Sequence, residues 1–99
     1  MPDYELSQKA DQDLTEIYQY SIETFGEGQA DKYFLDLDHC LQTLAENPHQ
    51  GRPADEIEKG IFRYEHGRHI VFYVVRPPGI FVARILHQSM DIRRHFGPA

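Results

Sequence analysis

Residues 68–86 read RHIVFYVVRPPGIFVARIL, from Arg68 to Leu86, and this stretch decides the fold. Arg68 to Val75 is rich in β-branched and aromatic residues, which suit a pleated, packed strand. Arg76-Pro77-Pro78-Gly79 reads as a turn, and Ile80 to Leu86 as a second strand. Just upstream, Ile61 to His66 (IFRYEH) is strand-like and Gly67 breaks it. Three strands with such short connections predict an antiparallel meander. Between Val71 and Val75 successive residues are apolar, so much of both sheet faces should be buried there.

The period changes on the N-terminal side. His49 to Gly60 (HQGRPADEIEKG) has no sustained period and reads as a linker. Before it, Ala30, Tyr33, Phe34, Leu37, Leu41, Leu44 and Ala45 recur at helical steps as far as Asn47, and Pro48 cannot continue the helix. An earlier stripe of Ala10, Leu14, Ile17, Tyr18, Ser21, Ile22 and Phe25 gives another helix, capped by Ser7 and ended by Gly26 in a left-handed conformation. Asp3 to Leu6 alternates like a short half-buried strand. The order is β-α-α-β-β-β, an α+β domain. Its N-terminal helix hairpin packs on one face of a small, mostly antiparallel sheet, leaving the other face concave and less covered.

Ninety-nine residues allow one domain, spanning 1–99. The single cysteine, Cys40, excludes an internal disulfide and a Cys-based zinc site, fits a reducing cytoplasm, and reads as a packed core thiol. The start, MPDYE, has no basic n-region or apolar run, and no stretch reaches the ~20 apolar residues of a membrane span.

Charge is uneven. Net charge is −6, yet residues 59–99 hold seven bases against Glu65 and Asp91. Such asymmetry points to a basic surface or to attraction between the two halves. The tail gathers Arg84, His87, Arg93, Arg94 and His95 around Asp91, and Arg84 is expected to pair with Asp91 across the turn. Asp11, Asp13, Glu16, Asp36 and Asp38 read as solvated helix faces.

Nucleotide-binding glycine loops, C-x-x-C and H-E-x-x-H are all absent from the sequence. His66 and His69 lack an evident third ligand, so no metal or other cofactor is expected. His87 beside arginines has the residue types of metal-free RNA cleavage, a base for the 2′-OH and guanidinium groups for the phosphorane. No second acid or base accompanies it, and a hydrogen-bonding anchor of the strand end is the simpler role. No catalytic residue is therefore assigned.

Taken together, the helix hairpin, the NPHQGRP exit from the second helix, the GIFRYEHGRHIVFYVV strands and the ARILHQSMDIRRHF end resemble the ParE toxins of ParD–ParE modules, in the RelE/ParE superfamily. The likeness runs from Tyr4 to Phe96. Arg84-Ile85-Leu86-His87 and Asp91-Ile92-Arg93-Arg94 match the family's R-x-L-H and D-x-R-R. The arginine expected after the histidine is missing, because Gln88 follows.

This resemblance implies a toxin that poisons DNA gyrase and is neutralised by a ParD-like antitoxin. Target-binding roles are expected for Arg84, His87, Arg93 and Arg94, the last two because they lie beyond the last apolar strand, and partner-binding roles for Arg63 and Arg68. The related RelE branch cleaves mRNA on the ribosome with lysines, arginines and a C-terminal tyrosine. Here no lysine follows Lys59 and no tyrosine follows Tyr73, which favours the ParE branch. The acidic balance argues against nonspecific nucleic-acid affinity, because phosphate binding depends on accumulated positive charge, and no direct sequence-specific nucleic-acid binding by the toxin alone is expected. The antitoxin is expected to wrap the toxin with an extended, acidic and apolar C-terminal segment, because the sheet end is basic.

Overall fold

A computed structural model describes residues 3–96; of Arg93, only the backbone is included. Strand β1 (Tyr4–Leu6) leads into helix α1 (Gln8–Phe25) and helix α2 (Glu27–Glu46). A 3₁₀ turn (Pro48–Gln50) precedes β2 (Arg52–Pro53), β3 (Ile61–His66), β4 (His69–Arg76), β5 (Gly79–His87) and a last helical turn, α3 (Ile92–Phe96). The sheet order is β1-β5-β4-β3-β2, with β1 parallel to β5 and the other pairs antiparallel. The α+β reading holds, with two additions. The linker contributes the two-residue strand β2, and the tail contributes α3.

Ser7 caps α1 as expected, its Oγ accepting from the Ala10 N–H at 2.9 Å. Gly26 alone joins the helices. Its φ of 90° needs a glycine, but its ψ of 165° is extended rather than left-handed helical. Its N–H closes α1 on the Ile22 carbonyl, and its carbonyl accepts from the Ala30 N–H to start α2. Gly79 is needed for a different reason. A Cβ there would run into the Asp3 backbone, where β1 begins to pair with β5.

One core lies between hairpin and sheet. Ala10, Leu14, Leu37, Leu41 and Leu44 meet Val71, Tyr73, Ile80, Val82 and Ile85, and Cys40 packs among them. Cys40 is buried, and burial pushes its thiol up to about 11, so it is an inert core residue.

The opposite face is more covered than the sequence suggested. Ile61, Ile70, Phe72 and Leu86 form a second core under Ala54 and Ile57 of the β2–β3 connection and Ile92 and Phe96 of α3. The cause is the apolar run in β4, which faces both ways and must be covered twice.

A bulge then sets the geometry of β5. Tyr73 pairs with Val82 but Phe72 pairs with Arg84, so Ala83 is the extra residue. Ala83 turns its carbonyl to the Ser7 hydroxyl at 2.7 Å, which fastens the bulge to the start of α1.

Candidate functional site

Strand β1 stops at Leu6, so β5 from Arg84 onward has no strand on that side. Asp13 of α1 takes its place. Its carboxylate accepts the Ile85 N–H at 3.0 Å and two Arg84 N–H groups at 2.9 Å each. The Asp13 side chain is buried, 9% exposed, and that of Arg84 is part-buried, 14% exposed. The hydrogen bonds to Asp13 hold the Arg84 guanidinium above its usual value, so it stays charged. Arg84 also donates to the His95 carbonyl at 3.3 Å, which ties α3 to β5.

Two sequence expectations are corrected here. Arg84 does not pair with Asp91; Asp91 meets Arg94 instead, at 3.8 Å. Asp13 is buried rather than solvated. It sits between Ala10 and Ile17 on the helical period, so its place on the inward stripe was readable in the spacing.

Beyond Asp13 a groove follows the seam between α1 and the ends of β4 and β5. It consists of two adjoining cavities of about 370 and 750 Å³ that share Tyr20, His69 and His87. Met90 and Glu16 line one end, Phe25 and Arg68 the other. Tyr20 and Phe25 are largely exposed.

The centre of the groove is a cluster of imidazoles. His69 and His87 face each other across β4 and β5, their rings edge-to-face at 5.4 Å. The Tyr33 hydroxyl lies 2.6 Å from His69 Nδ1. Burial, with His87 and His66 nearby, pushes His69 down to about 4. Burial also pushes the Tyr33 hydroxyl up to about 12. At neutral pH this pair is uncharged. His87 Nδ1 accepts the Ser89 N–H at 3.1 Å and lies 2.7 Å from the Ser89 hydroxyl, so it anchors the turn after β5.

The residues singled out from sequence therefore divide. Arg68 and His87 meet at the groove, with the Gln88 N–H bonded to the Arg68 carbonyl at 2.8 Å. Arg63 and Arg84 share a row across the sheet through Phe72, on the face that α3 covers. Arg63 stacks over Phe72 at 5.7 Å, and its buried Nε has no hydrogen-bond partner among the described residues. Arg94 is 84% exposed on α3, and the Arg93 side chain lies outside the described residues. Sequence reasoning passed over Tyr33, Tyr20 and Phe25 as groove residues. The apolar period of Tyr33 and Phe25 gave no sign that the seam stays open, and Tyr20 lies off that period.

A helix hairpin laid over a five-stranded sheet, with a C-terminal turn closing its far face, is the α+β domain of the RelE/ParE type. Residues 4–92 match the family described as the ParE toxin of type II toxin-antitoxin system, parDE. The chain is 38% identical over 97 residues to Toxin ParE1 of Caulobacter vibrioides, covering 98% of this chain and all of the relative. It is 40% identical over 93 residues to Toxin ParE1 of Mycobacterium tuberculosis, covering 93% and 95% of the two chains. The fold superposes on a chain of the chromosomal ParDE TA system from P. aeruginosa with a TM-score of 0.72, at 24% identity, over 88% of this chain and 96% of that one. The chain belongs to the ParE toxin family.

Proposed function

We propose that this ParE toxin acts in the cytoplasm by binding DNA gyrase, without catalysing bond cleavage, and that a ParD-like antitoxin neutralises it. The family match over residues 4–92 carries the reading. Geometry supports a binding role for the tail. Arg94 stands in solvent beyond both cores, and among the described residues its side chain makes one weak ion pair, to Asp91. Arginine suits bidentate contact with carboxylates or phosphates, and a gyrase–DNA complex offers both. Arg93, its neighbour in sequence, is assigned the same role.

The test is supercoiling by purified gyrase. Wild-type toxin should inhibit it and accumulate cleaved DNA. Arg93→Ala combined with Arg94→Ala should melt close to wild type and lose inhibition. Supercoiling that persists at every concentration of wild-type toxin would sink the gyrase assignment.

One observation favours a second reading, mRNA cleavage. The structure gives His87 the second imidazole that the sequence did not supply, His69. Against it, the Arg84 guanidinium that would stabilise a phosphorane is turned into Asp13.

A further inference from the structure

Arg94 projects from α3, and α3 is a helical piece of only five residues. Isolated helices shorter than about 12–15 residues are marginal in water, so α3 keeps its form through what it touches. Two contacts fix its C-terminal end on the sheet. The Arg84 guanidinium donates to the His95 carbonyl at 3.3 Å, and the Phe96 ring stands edge-on to Phe72 at 4.9 Å. The last carbonyls of a helix have no partner within it, so Arg84 supplies a donor where α3 lacks one. Ile92, at the other end of α3, packs on the second core.

The two anchors differ in kind. Phe96 offers apolar contact, which another large apolar side chain can supply. Arg84 uses all three nitrogens of its guanidinium: Nε and Nη2 donate to Asp13, and Nη1 donates to His95. A planar fork can serve a carboxylate and a carbonyl together, and an ammonium group cannot. Asp13 on α1 therefore aims Arg84, and Arg84 aims α3. With its donors committed inward and its side chain part-buried, Arg84 offers a target little, whereas Arg94 offers nearly all of its side chain.

We propose that Arg84 and Phe96 are positioning residues for target binding: they hold α3 on the sheet so that Arg94 meets gyrase already in place, and Arg84 itself does not touch the target. The inference rests on the gyrase reading above and changes the role of Arg84 from contact to support. Preformed presentation has a measurable consequence. When a partner binds only one of two states, apparent affinity falls in proportion to the population of that state. A toxin whose α3 is docked a tenth of the time is therefore about tenfold less potent.

The experiment pairs inhibition of purified gyrase with the methyl NMR signal of Ile92, which reports whether α3 lies on the second core. Phe96→Leu keeps an apolar anchor and should inhibit like wild type. Phe96→Ala, and more strongly Phe96→Asp, should move the Ile92 signal toward its random-coil position. Their half-inhibitory concentrations should rise by the inverse of the docked fraction, about tenfold where a tenth remains docked. Arg84→Lys keeps the charge beside Asp13 without the fork and should fall on the same relation. Tyr73→Phe, which loosens the first core away from α3, should leave the Ile92 signal and potency unchanged, and so separates positioning from general loss of stability. Potency lost while α3 stays docked would make Arg84 or Phe96 a direct contact. Wild-type potency with α3 released would make presentation immaterial, and a Phe96→Asp variant that stays docked would remove Phe96 as an anchor. Each of these overturns the proposal and leaves the gyrase reading in place. A wild-type toxin that leaves supercoiling untouched overturns both.

Discussion

Asp13 and Arg84, 71 positions apart, are joined by two hydrogen bonds of 2.9 Å each, and the same carboxylate accepts the backbone N–H of Ile85. One side chain thus neutralises a part-buried cation and completes the edge of a strand. Removing either partner leaves a charge uncompensated at a site largely withdrawn from water, which costs up to about 3–5 kcal/mol.

Asp13→Ala and Arg84→Ala should each lower stability to urea by an amount of that order, with Asp13→Ala the worse because Ile85 also loses its acceptor. The double variant should fall well short of the sum. A double-mutant cycle with no coupling would show that the pair is not energetically linked.

His69 makes stability depend on pH. Its folded-state value is pushed down to about 4, below the ordinary ~6.5 of an unfolded histidine. The unfolded chain therefore binds the proton more tightly. The contribution is fully present above about pH 6.5 and is lost as pH falls toward 4. Partial solvent access limits it to on the order of 1 kcal/mol. Melting temperatures of wild type and His69→Gln across this window should diverge, with the variant showing the shallower decline; parallel curves would remove His69 as the cause.

Tyr73 is fully buried, donates to the Pro48 carbonyl at 2.6 Å and accepts the Gly51 N–H at 3.1 Å. It fastens the end of α2 to the centre of the sheet. Tyr73→Phe keeps the ring and strands both backbone groups, so it should cost about 1–3 kcal/mol. Equilibrium unfolding measures this, and faster hydrogen exchange at Gly51 should accompany it. An unchanged midpoint would mean that water replaces the hydroxyl.

His87→Gln separates the two functional readings. Glutamine can still accept from the Ser89 N–H but cannot act as a general base. Toxicity on induced expression should persist in a protein that melts like wild type. Its disappearance in such a protein, together with loss of mRNA cleavage, would favour the nuclease.

What the sequence determined by itself was the order of elements and the character of each. Helical spacing from Ala10 to Phe25 and from Ala30 to Ala45, Ser7 as a cap, the breaks at Gly26 and Pro48, and the apolar strands around a Pro-Pro-Gly turn are local properties, so each was legible locally. The likeness to ParE toxins rested on that same order. Tertiary structure decided where the charged residues point. Strict alternation would put Arg84 on the face of Ile80 and Val82. The bulge at Ala83 resets that alternation, and it is fixed by the hydroxyl of Ser7 from the far end of the chain. Likewise β2 exists only against β3, α3 only where Phe96 meets Phe72 at 4.9 Å, and the Asp13–Arg84 pair only where β1 ends short. In each case the stabilising contact joins residues distant in sequence, and a local pattern carries no record of them.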